Sequence, residues 1–251
     1  MDALELKRTL ENTDYPLLFE PDTGNIVTRN KRFTEVQIWN PTDGIALSTR
    51  KVDKALQNPS GLRVNGDGRR IVPGHENRVT VIDAVSHKVL KTLQIDDTPF
   101  ILEQSPDGRK VVVAESNRAA VWDVNGGKLV CRLSGHAQTI TQVLFLPDSR
   151  RVITSNWDST IRVWDAEPGM ELNRLTGHLT GVHWTALSQD ASTILTVSDD
   201  KSIRLWNTRT FRQVYQFEEY NLWYPVFSPK GDRLLTMDRG FVLHMWNVRR
   251  D

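Results

Sequence analysis

Two groups of residues in this sequence have the composition of a reactive site. His136, Thr154 and Asp158 form one, and His178, Thr196 and Asp200 form the other. A carboxylate, an imidazole and a hydroxyl are the parts of a hydrolytic relay, in which the ring takes the hydroxyl proton and the carboxylate orients the ring. In both groups an indole follows. His stands 28 residues before Trp164 or Trp206, Thr ten before and Asp six before. The indole changes the reading. A hydroxyl that serves one imidazole nitrogen can also accept an indole N–H, while the other ring nitrogen donates to the carboxylate. All four groups are then satisfied inside a folded core, and the exact repetition needs no catalysis. The expectation is two structural tetrads, with no catalytic residue, no cofactor and no metal.

Other chemistry is thin. Cys131 is the one cysteine among 251 residues, so neither an internal disulfide nor a Cys-based zinc site can form. It lies in Leu129-Val130-Cys131, where it reads as a small buried hydrophobe. His183 and His244 each stand without a second His or a carboxylate at metal-ligand spacing. No Gly-rich loop opens a helix, so no phosphate cradle is expected. With 32 basic and 31 acidic residues the net charge is +1, which gives no general attraction to nucleic acid or an anionic membrane. No run approaches the roughly 18 apolar residues of a membrane span, and Met1–Leu10 lacks a signal-peptide core. A cytoplasmic protein is expected, with the nucleus as the alternative.

What must position the two tetrads is a repeat. Six segments end alike at Asn40, Asp83, Asp123, Asp165, Asn207 and Asn247, spaced 43, 40, 42, 42 and 40 apart, and five carry Trp just before that residue. Four units have a tight turn after an apolar stretch, Pro21-Asp22-Thr23-Gly24, Pro106-Asp107-Gly108, Pro147-Asp148 and Pro229-Lys230-Gly231-Asp232, and Asn65-Gly66-Asp67-Gly68 stands at the same place in the second. A strand follows, then a polar turn, the Trp-bearing strand and a last strand such as Lys128–Leu133. Four short strands every 40 or so residues, without a helical stripe, are the pattern of a propeller blade.

On these residues the chain resembles the WD40 family along essentially its whole length. Gly135-His136 through Trp164-Asp165 and Gly177-His178 through Trp206-Asn207 carry the full family signature. The resemblance implies an all-β propeller of six four-stranded blades, a single domain over residues 1–251. It also implies that His136, Thr154, Asp158 and Trp164, and likewise His178, Thr196, Asp200 and Trp206, are hydrogen-bonded tetrads within blades. Other units depart from it. The last keeps Thr236 and Trp246 but has Glu218 and Gly240 at the His and Asp positions, and Ile82 replaces Trp in the second. The units ending at Asp83 and Asp123 are one residue short at the second turn, and Gly74-His75 falls too near Ile82 to be a family Gly-His pair.

The final unit stops after its third strand, whereas Leu4–Leu10 resembles a fourth strand such as His87–Leu93. Residues 3–10 are therefore expected to pair with the C-terminal blade and close the ring, which removes exposed strand edges.

In the family one ring face is the usual docking surface. Counting back six residues from each turn places Tyr15, Pro59, Phe100, Thr141, His183 and Trp223 there, with Trp157, Asp199 and Arg239 on the same rim. Trp and Tyr dominate binding hot spots. The partner-binding candidates are Tyr15, Phe100, Trp157, His183, Asp199, Trp223 and Arg239, with Trp157, His183 and Trp223 as the expected cluster. The expected function is a non-catalytic scaffold or adaptor that presents this face to a protein or peptide, monomeric alone and a subunit of a hetero-complex. The alternatives are a sensor subunit of an effector complex, an enzyme with a channel site, and a nucleic-acid-associated subunit. Arg162 and Arg204, beside Trp in their strands, are expected to stack on aromatic faces.

Overall fold

Short runs of β-branched and aromatic residues, cut by Pro, Asp and Gly, can only make short strands. Among the described residues the computed structural model has 23 of them and no helix. It describes residues 15–19, 26–29, 34–40, 45–51, 61–64, 70–83, 86, 88–95, 99, 101–188, 190–218, 223–227, 233–237 and 243–247. The chain divides into two compact units, Met1–Gln104 and Ser105–Asp251.

In the first unit, β1 (Tyr15–Phe19), β2 (Ile26–Arg29), β3 (Glu35–Trp39) and β4 (Ala46–Lys51) make one four-stranded antiparallel sheet in sequential order. A second is built in the same way from β5 (Gly61–Val64), β6 (Arg70–His75), β7 (Arg78–Asp83) and β8 (Val89–Gln94). Strand β9 (Ile101–Gln104) ends the unit.

The second unit opens with β10 (Lys110–Glu115), β11 (Arg118–Asp123) and β12 (Lys128–Leu133), antiparallel neighbours in that order. Two complete sheets follow. One is β13 (Ile140–Phe145), β14 (Arg151–Asn156), β15 (Ile161–Asp165) and β16 (Glu171–Leu175), and the next is β17 (Val182–Leu187), β18 (Thr193–Ser198), β19 (Ser202–Asn207) and β20 (Gln213–Glu218). The last sheet holds β21 (Trp223–Phe227), β22 (Arg233–Met237) and β23 (Leu243–Asn247). Residues 3–10, expected to add a fourth strand there, lie outside the described residues.

Among the described residues, three of the turns between first and second strands are built by an Asp. Asp148 Oδ1 accepts the backbone N–H groups of Arg150 (3.0 Å) and Arg151 (2.9 Å), Asp107 Oδ1 accepts that of Arg109 (3.0 Å), and Asp190 Oδ1 that of Ser192 (3.1 Å). The residue after each Asp (Gly108, Ser149 or Ala191) sits at positive φ, between 53° and 70°. The carboxylate holds a left-handed turn that Ser149 and Ala191 would otherwise disfavour.

A bulge recurs beside the Trp position. In each of the five described third-to-fourth strand pairs, the outer strand carries one extra residue: Leu47, Leu90, Val130, Leu172 and Val214. Val130 is half-buried and the other four are exposed aliphatics. A bulge bends an edge strand and breaks its flat ladder, which disfavours pairing with a stray edge. Exposure in these outer strands extends to the neighbours of the bulge, as at Val89, Leu129 and Tyr215.

Packing between consecutive sheets forms the core of the second unit. Ile153, Ile161, Val163 and Leu175 of one sheet meet Val182, Ile194 and Trp206 of the next, all at most 3% exposed. Polar groups also tie these sheets together. Thr141 Oγ1 donates to the Val182 carbonyl (2.7 Å), Gln142 Oε1 accepts the Thr185 N–H (3.1 Å), and the Ser155 and Thr185 hydroxyls bond each other. In these two sheets the first strands are cross-linked as well as packed.

Candidate functional site

The ten-residue spacing of Thr154 and Trp164 follows from register. Val152 stands opposite Trp164 and Thr154 opposite Arg162, so the hydroxyl and the indole share one face of adjacent strands. Trp164 Nε1–H donates to Thr154 Oγ1 (2.8 Å), which also pairs with His136 Nε2 (2.7 Å), while His136 Nδ1 meets Asp158 Oδ2 (2.9 Å). The second set repeats this geometry, with Trp206 Nε1 to Thr196 Oγ1 at 2.9 Å, Thr196 to His178 Nε2 at 2.8 Å and His178 Nδ1 to Asp200 Oδ2 at 3.0 Å.

Each carboxylate does further work. Asp158 Oδ2 accepts the Ala137 N–H, and its Oδ1 accepts both the backbone N–H and the hydroxyl of Thr160. Asp200 takes the matching groups of Leu179 and Ser202. Burial pushes the Asp200 carboxyl up, but bonds from the Ser202 hydroxyl, the Leu179 amide and His178 outweigh it and hold the carboxyl down at about 2. Asp158 is lowered by the same balance. Burial lowers both imidazoles below the usual 6.5, against the pull of their carboxylates. A neutral ring protonated on Nδ1 fits these partners: it donates to Asp, and its Nε2 accepts the Thr hydroxyl. The hydroxyl is thus bonded on both sides and buried, which is poor placement for a nucleophile.

Arg162 reinforces its tetrad. Its guanidinium carbon stands 5.9 Å from the Trp164 ring centre, and Nη1 bonds Glu171 at 2.9 Å. Gly135 is needed beside it, since a Cβ there would stand 2.3 Å from Arg162 Nη1 and the backbone has a φ of +146°.

A solvent-facing surface lies beside the tetrads. The loop after β14 is pinned by the Trp157 N–H donating to the Thr139 carbonyl (3.1 Å), and the loop after β18 by the Asp199 N–H donating to Gly181 (3.2 Å). Trp157 remains 40% exposed and leans across to the next sheet, where its indole sits on Gly181, 6.4 Å and 32° from the His183 ring. His183 is the extra residue of a bulge in β17, between Val182 and Trp184, and Thr141 holds the matching position in β13. Bulges re-aim side chains next to functional sites. Asp199 Oδ1 approaches His183 Nδ1 at 3.4 Å, its side chain 58% exposed. Leu179, on the loop leading into β17, is 83% exposed.

A family model described as WD domain, G-beta repeat matches residues 127–165 and 169–207. These two stretches are WD40 repeats. WD40 repeats generally mediate protein–protein interaction and are typically non-catalytic. No curated protein matches the sequence. The two matched repeats hold the two complete tetrads and both loops of the exposed surface, so the family signature and the candidate site coincide in the chain.

Of the WD40 rim residues expected from sequence, Trp157, His183 and Asp199 are brought together. Sequence reading left His183 as a lone imidazole. The structure gives it a carboxylate and an indole, because the bulge re-aims it and the β17–β18 pairing returns Asp199 beside it. Thr141 is used for sheet-to-sheet bonding. Tyr15 and Trp223 open β1 and β21 in paired register, opposite Arg29 and Met237, with the register shift between Pro16 and Leu18 in β1 and between Trp223 and Val226 in β21. Their side chains, and Pro59, Phe100 and Arg239, lie outside the described residues, so the place of Trp223 in the expected cluster lies there too.

Sequence reasoning missed Gly181 and Leu179. Their signal was positional: each stands a fixed step after a repeated Gly-His pair, where the preceding unit has Thr139 and Ala137. Among the described residues no group of three or more His, Cys, Asp or Glu could hold a metal, and no helix is long and apolar enough to cross a membrane. Cys131 is buried, its Sγ 3.3 Å from the Ala166 carbonyl.

Proposed function

We propose that this chain is a non-catalytic scaffold or adaptor that presents the surface of Trp157, Leu179, His183 and Asp199 to a partner protein. The observation that carries this reading is the exposed indole of Trp157, held by Gly181 and by its own backbone bond rather than by a core. A large aromatic fixed at the surface loses little conformational entropy on binding and desolvates a large area, which makes it a hot-spot residue. The buried, doubly bonded hydroxyls of Thr154 and Thr196 argue against the hydrolytic alternative.

Six blades in one ring, closed by residues 3–10, remain our reading of the architecture. Its support is the 40–43-residue period of the sequence and the strand order repeated within the sheets. Tyr15, Phe100, Trp223 and Arg239 are proposed as further contributors on the same face. A cytoplasmic protein that joins a hetero-complex completes the proposal.

Affinity purification of the wild type beside Trp157→Ala, alone and combined with Trp223→Ala, tests it. The expected outcome is a partner recovered with the wild type and depleted at least tenfold from Trp157→Ala, at unchanged unfolding temperature. A partner recovered equally by every variant removes this surface from consideration.

A further inference from the structure

The exposed surface carries more chemistry than an apolar patch. Its indole has one side occupied by Gly181, where a Cβ would stand 2.1 Å from Cε3 and 2.9 Å from Cζ3, while the side chain as a whole keeps 40% of its surface open. Its carboxylate, Asp199, belongs to the neighbouring loop and is more than half exposed. His183 touches both, with its ring 6.4 Å from the indole and its Nδ1 3.4 Å from the carboxylate. Asp199 is held in place by its own backbone, through the bond from its N–H to Gly181. A part-exposed indole and an anchored carboxylate thus meet at the three-residue segment Gly181–His183.

Trp157 and Asp199 occupy the same position in successive repeats, each immediately before a tetrad Asp. The repeat therefore delivers one aromatic and one acid to adjacent places on one surface. The matching carboxylates of the tetrads, Asp158 and Asp200, are consumed by inward hydrogen bonds, whereas Asp199 points its charge toward solvent.

We propose that this surface recognises an arginine side chain presented by an extended segment of the partner. The inference rests on the reading of the Trp157 surface as a partner-docking site. Guanidinium is planar and weakly hydrated, so it stacks on an indole face at low desolvation cost, and its fork of N–H donors matches a carboxylate in two-point contact. Lysine offers a point charge with a stronger hydration shell and engages the indole less well. An acidic or purely aliphatic side chain would leave Asp199 repelled or its carboxylate desolvated without a partner.

The test uses the full chain and nonapeptide pools randomised except for a central Arg, Lys, citrulline, Leu or Glu. The Arg pool is expected to bind at least fivefold more strongly than the citrulline and Glu pools, with Lys between. That signal should vanish in Trp157→Ala, fall at least fivefold in Asp199→Asn, persist in part in Trp157→Phe, and weaken as salt is raised. A Leu or Glu pool that binds best and is still lost in Trp157→Ala overturns the arginine assignment and leaves the docking surface standing. An equal Lys signal also overturns it. An Arg signal unchanged in both Trp157→Ala and Asp199→Asn defeats the assignment and the docking surface together. Binding by no pool overturns the inference, while partner capture that depends on Trp157 would still support the surface.

Discussion

Trp157 and Gly181 belong to consecutive sheets and lie so close that a Cβ on Gly181 would stand 2.1 Å from the indole Cε3. The glycine is therefore the seat of the aromatic side chain. Its backbone lies outside the left-handed region that favours glycine, so only space demands the residue. Gly181→Ala is expected to push the half-exposed ring off its seat toward solvent. Partner capture should fall by the same factor as in Trp157→Ala, and the unfolding free energy from urea denaturation should change by less than about 1 kcal/mol, because the side chain that gives way is part-exposed. A large loss of stability with binding retained would show that the seat serves packing instead.

The tetrads should report on stability. Thr154→Val keeps the shape of the side chain but removes the hydroxyl between Trp164 Nε1 and His136 Nε2. Because Trp164 is 2% exposed, its N–H would lose its partner out of reach of bulk water. A cost of about 1–3 kcal/mol is expected in urea denaturation, and Thr196→Val should cost a similar amount. A change below 0.5 kcal/mol in both, by the same ~1 kcal/mol yardstick for a buried bond, would contradict the geometry.

Acid should unfold the protein through these same groups. His136 and His178 have native pKa values below the usual 6.5, so below that pH the unfolded chain binds protons that the native state resists. Stability is expected to be level above pH 6.5 and to fall as the pH drops through that value. A second decline should come between pH 3.8 and about 2, where Asp200 protonates in the unfolded chain before it does so in the native state. Thermal midpoints measured from pH 8 to pH 2 check both limbs, and Asp200→Asn should flatten the second. A midpoint independent of pH between 7.5 and 5 would contradict the neutral, buried rings.

Cys131 should be inert in the native protein. Burial, followed by the nearby Glu167 and Asp165 carboxylates, pushes its thiol up to about 11, which leaves little thiolate at neutral pH. A thiol reagent at pH 8 is expected to find no group in the folded chain and one equivalent after denaturation. Rapid native labelling would place Cys131 at an accessible position.

The exposed aliphatics of the outer strands show a limit of reading by pattern. Leu47, Leu90, Leu172 and Val214 look like core residues in strands that alternate. Each is the extra residue of a bulge, in an outer strand whose neighbouring residues are largely exposed as well. Sequence alternation cannot reveal this, because a single inserted residue changes which face every later side chain occupies.

The sequence alone determined what depends on distance along one strand pair. The ten residues between Thr154 and Trp164, and between Thr196 and Trp206, are set by antiparallel register within a single sheet, so repeat length and tetrad membership were readable from spacing. Tertiary structure alone decided what depends on how one sheet lies against the next. The seating of Trp157 on Gly181, the tie from Thr141 to Val182 and the approach of Asp199 to His183 each need a packing distance or a bulge that no spacing encodes. Register is local and periodic, and it leaves a mark on the order of residues. Packing between sheets arises from side-chain volume and the direction of a bulged residue, and these meet only once the chain has folded.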